Sequence, residues 1–136
     1  MPARVKVILD INVFVAAHWA PSSASARIIR ACIEGRVQPQ YTKEIRLEVN
    51  RTLRTIKARE SFVRELKAFW ERAEEIRSIP VQSVKVEDSE DQKFIEAAAG
   101  GDTDFLITND AHLLRVGYIG RTEVLTPESA VKVLGL

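Results

Sequence analysis

Val5-Lys6-Val7-Ile8-Leu9-Asp10 is the stretch on which the fold turns. It is rich in β-branched residues and almost continuously apolar, as a strand is when both of its faces are covered. Strands of that kind belong to parallel sheets packed between helices. The carboxylate that closes the run is costly to desolvate without a partner, so Asp10 is better explained by a task than by packing. A second short run, Phe105-Leu106-Ile107-Thr108, also leads to an acid, Asp110, two residues past its end.

Outward from these runs, helical and strand patterns alternate. Helices are predicted over Asn12–Trp19 and, after the break at Pro21-Ser22-Ser23, over Ala24–Glu34, stopped by Gly35. Arg36–Tyr41 reads as a weak strand that Pro39 assigns to an edge or a bend. Thr42 caps a helix with the stripe Ile45, Val49, Leu53 and Ile56, and a longer helix follows over Arg59–Ile76. A short strand is expected within Pro80–Val86. Ser89-Glu90-Asp91-Gln92 reads as a capping box opening a helix that ends at Gly100-Gly101. The strand Phe105–Thr108, a short helix Asn109–Arg115, the strand Glu123–Leu125 and a last helix opened by Thr126-Pro127 complete the chain. The pattern is α/β, with a parallel sheet covered by helices.

The 136 residues are 46% hydrophobic and 29% charged, which suits one folded domain spanning 1–136 and excludes a disordered chain. No apolar stretch reaches the roughly 18 residues of a membrane helix, so no membrane association is expected. The N-terminal run reads as a strand rather than a signal peptide, so the cytoplasm is the expected compartment. A single cysteine, Cys32, excludes an intrachain disulfide and a cysteine zinc cluster. Net charge is only +1, yet Val84–Asp110 holds eight acids against Lys85 and Lys93.

In open α/β sheets, ligands bind beyond the carboxyl ends of the strands. Asp10 and Asp110 lie at such ends, Asp91 falls in the first turn of a helix, and Glu48 flanks a buried helical stripe. Four carboxylates converging on one rim repel each other unless a cation joins them. Oxygen ligands without a His or Cys cluster favour Mg²⁺ or Mn²⁺ over zinc. On this reading Asp10 and Asp110 destabilise the metal-free fold, so that Asn at either position should not lower its stability. Asp104, at the opposite end of its strand, is expected to be structural.

At these residues the chain resembles the PIN-domain family of metal-dependent ribonucleases, which includes the VapC-like toxins of toxin–antitoxin pairs. The resemblance rests on Val7-Ile8-Leu9-Asp10-Ile11-Asn12, on Glu48 within Thr42–Val49, on Asp91–Ala98, and above all on Asp104-Phe105-Leu106-Ile107-Thr108-Asn109-Asp110. Ile11 departs from the family, which usually carries Thr there. The resemblance implies a three-layer α/β/α sandwich with a mainly parallel sheet in the order 3-2-1-4-5. It also implies hydrolysis of RNA with Mg²⁺ or Mn²⁺ held by Asp10, Glu48, Asp91 and Asp110, leaving 5′-phosphate and 3′-hydroxyl ends. Asn12 and Thr108 would orient ligands or phosphate. An antitoxin protein and a second copy of the chain are the partners it suggests.

Lys43, Arg46, Arg51 and Arg54 form a basic run that could contact RNA. His112 is expected to be a surface residue, and His18 a structural one. Phe62, Phe69 and Trp70 read as core or dimer contact, with Trp19, Phe69 and Trp70 offering the apolar surface for self-association. A catalytically inactive PIN-like scaffold that binds RNA or metal is the competing expectation. A phospho-acceptor receiver domain fits less well, since Asn12 and Thr126-Pro127 stand where that fold needs an acid and a lysine.

Overall fold

The computed structural model describes residues 4–82 and 89–136. Strand β1 (Lys6–Leu9) is followed by helices α1 (Ile11–Trp19) and α2 (Ala24–Ile33). Strand β2 (Gln38–Tyr41), helices α3 (Lys43–Thr55) and α4 (Glu60–Arg72), and the two-residue strand β3 (Glu74–Glu75) come next. A 3-10 turn, Ser89–Asp91, then runs into α5 (Gln92–Gly101). Strand β4 (Phe105–Ile107), helix α6 (Ala111–Val116), the hairpin β5 (Tyr118–Ile119) and β6 (Thr122–Leu125), and α7 (Pro127–Leu134) close the chain.

The six strands lie in the order β3-β2-β1-β4-β6-β5. All neighbouring pairs are parallel except the hairpin β5–β6. The mixed α/β class and the mainly parallel sheet are therefore as the sequence predicts. The parallel strands also follow the expected order, but the hairpin adds an antiparallel edge. Its two-residue loop, Gly120-Arg121, needs the positive φ of 58° that Gly120 supplies.

The chain runs outward from β1 to β3 and then back past β1 to β4; with the right-handed crossovers that parallel strands favour, that reversal puts α5 on the face opposite α1–α4. On the first face α1 packs on α2 and α3, and α2 meets α4 and α7; α5 packs on β1 and β4. The centre is made by fully buried Val7, Ile8, Ile28, Ile95, Leu106 and Ile107. Phe69 and Trp70 belong to this interior, with Phe14 stacked on Trp70 at 5.8 Å and edge-on to Phe69 at 5.3 Å. Of the three aromatic residues assigned to a self-association face, only Trp19 is exposed.

Two local readings need correction. The helix assigned to Arg59–Ile76 ends at Arg72, because Glu74 and Glu75 pair with Gln40 and Tyr41 as β3. Of the span 80–86 in which a strand is expected, residues 80–82 lie in no strand, and the rest falls outside the described residues. Pro39 lies in β2, which has β1 on one side and β3 on the other. It is tolerated because Gln38 and Gln40 face β1, while β3 begins only opposite Gln40. Pro39 therefore has its missing N–H on the side where no strand has started. Its carbonyl accepts from the Gln38 side chain at 2.9 Å.

Gly100 and Gly101 close α5, as the sequence predicts. A Cβ on Gly100 would lie 1.7 Å from the Arg77 carbonyl oxygen, and one on Gly101 2.8 Å from Gln40 Oε1. Close approach, not chain termination, requires glycine here. The chain instead turns at Asp102, whose φ is 48°.

His18 is buried at the end of α1, where its Nε2 accepts the Arg59 backbone N–H at 2.9 Å. Burial, and then the charge of Arg59, hold the imidazole below its usual pKa of 6.5. The unfolded chain therefore takes up a proton first as the pH falls, so His18 adds a stabilising contribution above pH 6.5 that is lost on acidification. Chemical denaturation at about pH 7.5 and about pH 5.5 should show a smaller acid loss for His18→Gln than for the native chain. Equal losses would remove His18 from the acid response.

Candidate functional site

The site begins where β1 and β4 end side by side. Leu9 pairs with Ile107, and the Asp10 N–H donates to the Ile107 carbonyl at 3.0 Å. The sheet order reverses across this pair, so the two chains leave in different directions and open a cleft between them. Asp10 caps α1 through Oδ1, which accepts the Ile11 N–H at 2.6 Å. Its Oδ2 accepts from the Thr108 hydroxyl at 2.6 Å and the Asn12 amide at 3.0 Å. Ile11, in place of the family's Thr, thus costs no cap, since the backbone N–H makes that bond.

Asp10 is 5% exposed. Desolvation pushes its carboxyl above the ordinary value; the Thr108 hydroxyl and Ile11 N–H pull it down, and the charges of Asp110 and Glu48 push it up again. Thr108, fully buried, also accepts the Asp110 N–H at 2.9 Å. Asp110 in turn caps α6, taking the His112 N–H on Oδ1 at 2.8 Å. Asn12 reaches across to the Asn109 N–H at 3.4 Å. One hydroxyl and one amide therefore tie the first acid to the loop bearing the last.

Asp10, Glu48, Asp91 and Asp110 all line one open cleft of about 280 Å³, together with Asn12, Glu90 and Lys93. At ~30 Å³ per water, that is room for a hydrated cation and a phosphate group. The four acids are not equivalent within it. Asp91, Asp110 and His112 each bring a ligand atom to within 4.8 Å of the others. Glu48 points to a different neighbour, the Lys93 ammonium, which also bonds Glu90 at 3.0 Å. Partial burial works against the Lys93 charge, but the two carboxylates hold its pKa above the usual value.

The Asp91–Asp110–His112 donor set fits a divalent cation, whose ligand distances of roughly 2.0–2.6 Å let one ion reach all three. An imidazole nitrogen beside two carboxylates is a less natural set for Mg²⁺ than an all-oxygen one, since imidazole suits transition-metal ions. His112 was missed as a site residue because a polar residue on a short helix carries no signal of its own. Its only clue is that it follows Asp110 by two positions, just inside a capped first turn. Lys93 was missed for a similar reason, as one of two bases in a run of acids.

The basic run on α3 is split by the fold. The Arg46 guanidinium lies over the rings of Trp70 at 4.9 Å and Tyr41 at 5.7 Å, on the side of the buried stripe away from Glu48. Arg51, three residues after Glu48, lies one turn along on the cleft side. Lys43 and Arg54 are exposed. Asp104 sits at the opposite end of β4, accepting the Lys6 N–H at 2.8 Å and pairing with Arg121 at 2.8 Å. It is a clamp between β1, β4 and the hairpin, and takes no part in the cleft.

Among the described residues, no helix is long and apolar enough to cross a membrane. The sequence matches the family described as PIN domain over residues 6–112. A comparison with curated proteins finds no match. Among solved structures, the chain is similar to the crystal structure of PAE2754 from Pyrobaculum aerophilum, with a TM-score of 0.63 and 17% identity. The alignment covers 96% of this chain and 90% of that one, a likeness of fold.

Proposed function

Because the chain belongs to the PIN-domain family, whose members are generally metal-dependent nucleases, we propose that it hydrolyses RNA phosphodiester bonds with Mn²⁺ or Mg²⁺. The observation that carries this reading is the convergence of Asp91, Asp110 and His112 donors, the two acids among them lining one cleft with Asp10 and Glu48. We further propose that the protein acts in the cytoplasm as the toxin of a toxin–antitoxin pair, and that it forms a homodimer. The 62% exposed Trp19 supports the dimer, since a single tryptophan buries on the order of 200 Å² when covered.

Asp91 and Asp110 would hold a divalent cation, which would supply Lewis acidity toward the phosphate and toward water. The chain's own residues do the positioning. Asp10 adds negative charge to the cation site and is fixed by three donors, so its carboxylate does not rotate. Asn12 and Thr108 hold the Asn109–Asp110 loop against it. Arg51 is placed to meet a phosphate of the approaching strand at the cleft mouth.

The purified protein should cleave RNA when Mn²⁺ or Mg²⁺ is added and stop in excess chelator. Cleavage that persists in chelator would sink the metal mechanism. Binding of RNA without cleavage under any metal would favour the inactive scaffold. Sedimentation of the same sample at about twice the 15.3 kDa chain mass supports the dimer, and a monomer rejects it.

A further inference from the structure

Lys93 is the unusual group in the cleft. It stands in the first turn of α5, where the helix dipole disfavours a cation. Its side chain is nevertheless 9% exposed, with the ammonium held between Glu90 of the preceding turn and Glu48 of α3. Among the described residues lining the cleft it is the only base, set against five carboxylates. The effect is to divide the acids. Glu48 already has a cation, while Asp91 and Asp110 share a different corner with His112.

We propose that the Lys93 ammonium fills a cation position of the cleft, so that the protein takes one divalent ion on the Asp91–Asp110 side and Glu48 is not one of its ligands. This deepens the metal-nuclease reading and rests on it. The physical argument is competition: an ion seated on Glu48 would lie beside a fixed ammonium, and like charges a few ångströms apart in a partly buried site repel strongly. Expelling Lys93 would strand the charge of a side chain with little other contact to solvent.

Mn²⁺ binding to the full chain, followed by calorimetry and by electron paramagnetic resonance, tests this without reference to turnover. The native protein should bind one Mn²⁺. Glu48→Gln should change that affinity by less than about fivefold, the scale of a partly exposed ion pair. Asp91→Asn should weaken it at least ~10–100-fold, the loss seen even for groups that only support a metal ligand. Lys93→Met, which keeps the apolar stem, should release Glu48 and admit a second Mn²⁺. Two ions in the native protein, or a Glu48→Gln loss equal to that of Asp91→Asn, would overturn the proposal and leave the nuclease reading standing. No Mn²⁺ binding by the native chain would overturn both. If Lys93→Met fails to fold, the Glu48→Gln and Asp91→Asn comparison decides alone.

Discussion

Asp110→Asn is expected to reduce RNA cleavage by at least about 10²-fold, the scale on which loss of one preorganised electrostatic group is felt in a turnover rate. Its effect on the metal-free fold should be the reverse of damage. Asn is as good an N-cap as Asp, so the bond from the His112 N–H to the side chain survives the change. The substitution also removes one of the two charges that push the Asp10 carboxyl upward. In chelator, the melting temperature should therefore equal or exceed that of the native protein. Added Mn²⁺ should raise the native melt by mass action and leave the variant nearly unmoved. A variant that melts well below the native protein in chelator, yet still gains from Mn²⁺, would show Asp110 to be a helix cap and nothing more. Asp10→Asn should differ in sign. Asp10 accepts from three donors, and an amide in its place turns its N–H₂ group either toward the Ile11 N–H or toward the Asn12 and Thr108 donors together. The expectation from sequence that both acids oppose the metal-free fold is thus kept as a prediction for Asp110 and reversed for Asp10, because charge clustering is visible in a sequence and the donors around each charge are not.

The same distinction separates what was legible from what was not. Val5–Leu9 announces a covered strand because its apolar residues leave no polar face, and the structure buries Val7, Ile8 and Leu9 accordingly. Thr42 and Thr126 announce helix starts by local chemistry, and both cap as expected, on the N–H groups of Ile45 and Ser129. These signals act over a few residues. Pro39 misled because its tolerance depends on where β3 begins, 34 residues later in the chain, opposite Gln40. Gly100-Gly101 marked the end of α5 correctly, but the reason glycine is required was hidden, because the atom that excludes a Cβ at Gly100 belongs to Arg77. In the site, the convergence of four acids on one cleft could be anticipated from topology, since all follow strand ends or open helices nearby. Their division between Lys93 and His112 could not, because it depends on which side chain of α5 faces α3 across the cleft.

Thr108→Val is expected to weaken Mn²⁺ affinity and RNA cleavage by about 10–100-fold, the range for groups that orient a metal ligand without touching the metal. Valine has the shape and β-branching of threonine, so it fills the same fully buried space at the end of β4 and keeps the strand preference. What it lacks is the hydroxyl that donates to Asp10 at 2.6 Å and accepts from the Asp110 N–H at 2.9 Å. Without it, the Asp110 N–H loses its acceptor and Asp10 Oδ2 keeps only the Asn12 amide. Leaving such groups unsatisfied costs about 1–3 kcal/mol, so the metal-free melt should fall. Thr108→Ser restores the hydroxyl and removes only a methyl, at a cost of about 1 kcal/mol. Serine should therefore recover Mn²⁺ affinity and cleavage while remaining slightly less stable than the native chain. That split between stability and metal affinity is the diagnostic. If serine and valine impair metal binding alike, the methyl and its packing govern the loop, and the hydroxyl bridge between the first and last acids has no part in the site.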